Sequence, residues 1–319
     1  MEVTRINNYS FEKPLTSDNS GFSKWGIGYR GGKAFFVKEF LSPVYPEEDS
    51  AFTEKKKQER IRLCQTFVEE KIKLYSAIRE ASDGHIVSVE QFFRVGAKFY
   101  ISTRAITAPI LSVADIARAA YIDRLRLCCS IAHAVARLHE KKIVHADIKP
   151  DNILVVRKMG LQANIVDFDC SFFESHCPKL GEELNGDLVY LSPEGFLHIA
   201  EIVSNLSCKM DVFALGLLFH QYLTGKLPGF NNAEYQYAYE AVLDAHPLDV
   251  HSVEDIGCRR IIEQMLSKEP EDRPDMKTVF SFLDGILLQM LHRDVPEKVA
   301  MDQSASDYFF QLGGDLSEW

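Results

Sequence analysis

Near residue 106 the apolar residues of this chain change their spacing, and that change constrains the fold more than any other feature. Before it, residues 19–40 read as a hairpin. SGFSKWGIGY and AFFVKEF flank the Gly-rich turn RGGK and carry the aromatic and β-branched residues that favour paired strands. Residues 85–106 repeat the pattern, with HIVSVEQFF and KFYISTRAI separated by RVGA. Between the two, residues 51–80 set Ile61, Cys64, Val68, Leu74 and Ile78 at helical spacing with most charges between them. Beyond residue 106, Leu125, Cys128, Cys129, Ile131, Ala132, Val135 and Leu138 share one broad helical face. Further helices are expected near 208–224, 233–244, 255–267 and 275–293, punctuated by Gly225, Pro228 and residues 268–274. The pattern predicts an α+β chain: a small lobe of five antiparallel strands with one main helix, then a larger, mainly helical lobe.

At 319 residues the chain is long enough for two compact units, or for one enzyme of two lobes. With 46% apolar and 26% charged residues it is neither disordered, collagen-like nor a disulfide scaffold. A net charge of −10 leaves no global basic field to hold a nucleic-acid backbone, so nucleic acid is not expected as a partner. The first twenty residues lack the apolar core of a secretory signal, and no apolar run approaches the roughly 18 residues that span a bilayer, so a cytoplasmic protein without a membrane partner is expected. Seven cysteines make an odd set with no C-x-x-C pair, which argues against a disulfide framework or a structural zinc.

The chemistry concentrates in residues 145–152, His-Ala-Asp-Ile-Lys-Pro-Asp-Asn, which follow a helix and precede the apolar run ILVV; IVDFD comes next at 165–169. These segments resemble the eukaryotic-type Ser/Thr protein kinase family, whose catalytic loop is H-R-D-x-x-x-x-N and whose metal-binding loop is D-F-G. Here they read H-A-D-I-K-P-D-N and D-F-D, each with one residue changed. The resemblance implies a bilobal protein-kinase fold and transfer of the γ-phosphate of ATP, with magnesium or manganese, to Ser or Thr of protein substrates. It makes Asp147 the acceptor of the hydroxyl proton, Lys149 the cation that neutralises the transferred phosphoryl, and Asn152 and Asp167 the metal ligands.

The resemblance extends over about residues 15–290. Lys38 falls where the family has the Lys of V-A-I-K that holds the α and β phosphates, and its helix partner is expected to be Glu70. The phosphate-covering loop aligns with D-N-S-G-F-S-K-W, so Ser20, Gly21, Phe22, Ser23 and Trp25 would line the nucleotide site with Phe36. Thr103 takes the place that ends the fifth strand beside the adenine, Arg104, Ala105 and Ile106 the hinge, and Leu154 the adenine floor. His145 and Phe168, with Leu74 and Val89, would form an internal column. Tyr190 and Glu194 lie in a segment like G-T-x-x-Y-x-A-P-E, with Arg273 as the expected partner of Glu194, and Asp211 would support the catalytic loop. Residues 1–14 are expected as an extension and 15–293 as the kinase domain, its lobes dividing at 105/106. The acidic and aromatic tail 294–319 would be either a strand or coil packed on the domain or a docking or autoinhibitory peptide.

Four departures bear on activity. Ala146 replaces the Arg that binds an activation-loop phosphate in many kinases, so activity is expected to be independent of such phosphorylation. Asp169 stands for the Gly of D-F-G, and Asp187 for a Thr, where it could pair with Lys149. Phe36 and Trp25 replace smaller residues around the adenine site; pointing inward they would overfill it, and a register shift of one would turn them outward. These changes keep two alternatives open: a pseudokinase that serves as a binding module, and a small-molecule phosphotransferase of related fold. The S-P-E and D-R-P segments argue against the second.

Overall fold

Two-residue turns set the register of the small lobe. In the structure, a computed structural model that describes residues 4–18, 23–47, 52–181, 184 and 186–293, Gly31 and Gly32 both have positive φ, as a tight hairpin turn requires. They join β3 (Ser23–Arg30) to β4 (Lys33–Phe40), after the short strands β1 (Thr4–Ile6) and β2 (Tyr9–Phe11). Helix α1 (Glu54–Ala81) follows, then the hairpin of β5 (Val89–Val95) and β6 (Lys98–Arg104) turning at Gly96. The sheet has six strands in the order β1-β2-β3-β4-β6-β5, each neighbour antiparallel.

Six strands replace the five expected, and much of the expected extension 1–14 is part of the sheet. Its strands are only three residues long, too short for period-two alternation to show. What fixes them is the outer face of β3, where Gly26 and Gly28 leave room: a Cβ at 28 would stand 2.8 Å from the Phe11 ring, and one at 26 would stand 2.8 Å from Leu15. Tyr9 and Phe11 are fully buried there with Phe35, Val37 and Tyr100. Tyr9 also bonds Ser102 and Gln91 through its hydroxyl.

Helix α1 begins at Thr53, whose hydroxyl caps the Lys56 amide, and carries Glu54 in its first turn and Arg79 in its last, matching the helix dipole. It buries Cys64, Leu74, Tyr75, Ile78 and Ala81 and packs Phe67 edge-on to Phe40 at 5.3 Å.

The large lobe contains α2 (Val113–Ala117), α3 (Tyr121–Glu140), β7 (Ile143–Val144), β8 (Ile153–Arg157), β9 (Leu161–Ile165) and β10 (Phe172–Phe173). Helices α4 (Pro193–Ile199), α5 (Lys209–Thr224), α6 (Ala238–Leu243), α7 (Ile256–Met265) and α8 (Met276–Arg293) complete it. Helix α5 is apolar all round because it runs through the core, and it stops at Gly225, whose φ of 85° closes the helix. β7 pairs with β10, and β8 with β9, as short ladders on this lobe. Among the described residues no helix is long and apolar enough to cross a membrane. The tail 294–319 and the loop residues Ser20, Gly21 and Phe22 lie outside the described residues.

Candidate active site

Residues 145–149 form a loop between β7 and a single turn at Pro150–Asn152, and one buried carboxylate shapes it. Asp211, 1% exposed at the start of α5, accepts the His145 amide (2.8 Å) on Oδ2 and the Ala146 amide (2.9 Å) on Oδ1. His139 Nε2 meets Oδ2 at 2.9 Å. Ala146 has φ 65°, a conformation that costs a non-glycine residue energy and persists because Asp211 holds its amide and that of His145. Burial alone would raise the Asp211 pKa; the His139 hydrogen bond, the charges of His139 and His145 and the His145 amide outweigh it and hold the carboxyl below its ordinary value.

Asp211→Asn turns one acceptor into a donor facing an amide. It is expected to lower kcat about 100-fold through loop misplacement while nucleotide affinity stays within about threefold. Because the folded-state pKa is depressed, the carboxylate's stabilisation is present above about pH 4 and is lost as pH falls through the folded value. Melting curves from pH 7 to 3 should therefore fall less steeply for Asp211→Asn than for wild type; parallel curves would contradict this.

The loop brings three polar side chains together. Asn152 donates from Nδ2 to the Asp147 carbonyl (2.8 Å) and to its Oδ2 (2.7 Å), and Lys149 Nζ sits 3.0 Å from the same oxygen. The Asp187 amide donates to Asp147 Oδ1 at 3.1 Å. Burial pulls the Lys149 pKa down, yet the Asp147 hydrogen bond and the charges of Asp147, Asp187 and Asp151 raise it overall, so the side chain is a cation. The ion-pair partner of Lys149 is thus Asp147, while the Asp187 carboxylate accepts the Val189 amide.

From the other side, β4 delivers Lys38, 6% exposed, whose Nζ lies 3.0 Å from both oxygens of Asp167 and 2.7 Å from Asp169 Oδ2. Burial would lower the Lys38 pKa; the charges of Asp169 and Asp167 overcome it and raise it well above the ordinary value. Burial likewise pushes Asp167 up and Lys38 more than reverses it, leaving that carboxyl depressed.

Glu70 is not the partner of Lys38: it is exposed on α1. The buried seam runs through Cys64, Phe67, Leu74 and Ile78, and the inward position between Phe67 and Leu74 falls on residue 71, roughly 100° round the helix from residue 70. Lys71 occupies it and donates to the Asp169 carbonyl at 3.1 Å.

The remaining expected positions fall around these groups. Alternation along β4 puts Phe36 on the Lys38 face, opposite Thr103, and the β3 register puts Trp25 opposite Lys38. The two aromatic rings stack at 5.4 Å, so both face the cleft and the outward alternative is excluded. Ser23 is buried where β3 begins, and Leu154 is half-buried on β8. The Arg104 side chain turns to Glu90, and the Ala105 amide donates to the Ala34 carbonyl at 3.2 Å, which engages that hinge amide within the sheet.

His145 and Phe168 rings lie 4.9 Å apart, with Leu74 and Val89 buried in the same core. Tyr190 donates to Gln221 at 2.6 Å, and Glu194 meets Arg273 in a two-pronged pair at 2.6 and 2.8 Å. Sequence reasoning missed Lys71, His139 and the contact of Asp169 with Lys38. The helical phase of the apolar seam could have found Lys71; His139 has no signal short of the fold.

Comparison with known proteins agrees with this geometry. The family model for the protein kinase domain matches residues 50–282, well over half of the chain. Serine/threonine-protein kinase Pkn1 of Myxococcus xanthus is 29% identical over 149 residues, 45% of this chain and 21% of that protein. Mitogen-activated protein kinase kinase kinase 8 of Rattus norvegicus is 34% identical over 142 residues, 43% of this chain and 29% of that protein. The chain therefore spans less than a third of the length of either relative. The structure of the kinase PK-1 from Cydia pomonella granulovirus superposes with a TM-score of 0.60 at 18% identity, over 86% of this chain and 95% of that one, a likeness of fold. With the match of the family model, the Lys38–Asp167 and Lys149–Asp147 pairs and the buried Glu194–Arg273 pair, this chain belongs to the protein kinase family.

Proposed function

We propose that the chain transfers the γ-phosphate of ATP, as its magnesium complex, to Ser and Thr hydroxyls of protein substrates. The observation that carries this reading is the pair of charged clusters, Asp147 with Lys149 and Asn152 on one loop and Lys38 with Asp167 on the next, whose segments are tied where the Val166 amide donates to the Asn152 carbonyl at 3.0 Å. The donor set fits magnesium. Both bonds of the Asn152 amide nitrogen go to Asp147, which leaves its oxygen as the cation-binding end, and Asp167 is held ionised. Hard oxygen donors of this kind hold magnesium together with the substrate's phosphates, and the cation would neutralise charge on the phosphate oxygens.

The chain's own residues supply the rest. Asp147 is fixed by Asn152 and the Asp187 amide, so its carboxylate can orient an acceptor hydroxyl and take its proton. Lys149, cationic and 3.0 Å from Asp147, is placed to neutralise the phosphoryl group in flight. Lys38 is the group for the α and β phosphates. Ser/Thr selectivity is favoured by Lys149 two residues after Asp147 and by the relatives' names. A cytoplasmic setting suits the seven cysteines, none of which is in a disulfide.

Activity without activation-loop phosphorylation is favoured by Ala146 and by Ser171, which is buried and donates to the His145 carbonyl at 3.0 Å. Phosphoamino-acid analysis of a generic protein acceptor should give phosphoserine and phosphothreonine with MgATP, no product in EDTA, and the same yield for Ser175→Ala. Phosphotyrosine alone, or loss of activity in Ser175→Ala, would contradict the reading.

One observation favours a second reading, a binding module with impaired nucleotide affinity: the Trp25–Phe36 stack on the cleft face. If that stack overfills the adenine site, Phe36→Ala should tighten MgADP binding by about tenfold, since added volume in a packed site costs about 1–3 kcal/mol. Weaker binding in Phe36→Ala would show instead that adenine uses the aromatic surface.

A further inference from the structure

We infer that Asp169 positions Lys38 for the nucleotide phosphates, a task expected of a carboxylate on α1, and that α1 reaches the site with a cation, Lys71, donated to the Asp169 backbone. The inference rests on the nucleotide-binding reading above. Asp169 makes the shortest contact to Lys38, 2.7 Å from Oδ2, and its side chain is 27% exposed. Among the described residues no carboxylate of α1 pairs with Lys38, and both Glu69 and Glu70 are exposed. Once Asp167 turns its oxygens to a cation, Asp169 is the acidic group left on a lysine that is 6% exposed.

The charge pattern is self-consistent. Two lysines, Lys38 and Lys71, face two aspartates, Asp167 and Asp169, around one turn. Lys71 bonds the Asp169 carbonyl at 3.1 Å and lies over the Phe40 and Tyr75 rings, 5.9 and 5.8 Å from their centroids, which fixes its stem against the α1 seam. A glutamate at 71 would bring a third carboxylate against Lys38, where like charges repel. The acid in the metal-loop turn and the base on the helix are therefore one compensated exchange, which ties the position of α1 to the position of Lys38.

A double-mutant cycle tests this on binding. MgADP affinity is measured by calorimetry for wild type, Asp169→Asn, Lys38→Met and the double variant, with Glu70→Gln alongside. Each of the first two substitutions should weaken binding about tenfold, and the double variant should be no weaker than Lys38→Met, the signature of residues that act through one contact. Glu70→Gln should bind as wild type, and Asp169→Glu should recover most of the loss. Lys71→Glu placed in the Asp169→Asn background should restore affinity by returning the carboxylate to the helix.

An Asp169→Asn affinity equal to wild type, a full additional loss in the Lys38→Met background, or an equal loss in Glu70→Gln would overturn the inference. A loss seen with magnesium but absent with ADP in EDTA would assign Asp169 to the metal and overturn it as well. If wild type binds no MgADP at all, the nucleotide reading itself fails. Melting midpoints of the same cycle then decide separately whether Asp169 holds Lys38, with non-additive shifts expected and additive shifts contradicting the contact.

Discussion

Arg273→Met is expected to destabilise the fold by about 3–5 kcal/mol, the cost of leaving a buried charge without its partner. Arg273 is 1% exposed and every guanidinium N–H is used. Nε donates to the Ser267 carbonyl (2.8 Å), Nη1 to Glu194 (2.6 Å) and the Lys209 carbonyl (2.9 Å), and Nη2 to Glu194 (2.8 Å) and the Lys268 carbonyl (2.8 Å). Its charge also lies 5.0 Å from the centre of the Phe213 ring. Methionine fills much of the volume but strands the Glu194 carboxylate, which is 7% exposed, and removes the donors of three backbone carbonyls. Urea denaturation should show the loss in the midpoint. Adding Glu194→Gln should recover part of it, since the stranded charge is then gone. A loss below about 1 kcal/mol would mean that water reaches the pair and that it does not hold the 190–195 segment to the large lobe.

The pair was legible in the sequence because both members sit in motifs, S-P-E and D-R-P, whose order is carried by the chain itself. The same is true of Lys38, Asp147, Lys149, Asn152 and Asp167, each in a run whose spacing to its neighbours is local. The hairpins were legible too, since Gly31–Gly32 and Gly96 mark turns that need positive φ.

Contacts that depend on the phase of a long helix or on pairing between distant segments were less so. Glu70 and Lys71 differ by one position in a row of charged residues, and only the depth of Phe67, Leu74 and Ile78 in the core decides which faces inward. The first hairpin hid because three-residue strands carry no period; its docking is set by two glycines on β3. The orientation of Phe36 was undecided until the β4–β6 register placed it opposite Thr103. The role of Asp169 was not legible because nothing in D-F-D reveals that a buried lysine stands 2.7 Å away.

Asp147→Asn carries the largest expected effect on activity. Asparagine keeps the size of the side chain and can still accept from the Asp187 amide, which meets Asp147 Oδ1 at 3.1 Å, but it loses the acceptor that Asn152 and Lys149 share on Oδ2. It removes the carboxylate that takes the hydroxyl proton, a contribution of about 10²–10⁴ in rate, while nucleotide affinity, set by Lys38 and Asp167, should change less than about threefold. The most direct measurement is transfer of labelled γ-phosphate from MgATP to a Ser/Thr protein acceptor by wild type and Asp147→Asn, with MgADP affinity measured on both. The account predicts transfer by wild type, loss of at least about 100-fold in the variant, and equal nucleotide binding. Equal transfer by both proteins, or a wild type that binds MgADP and phosphorylates no Ser or Thr, would contradict it.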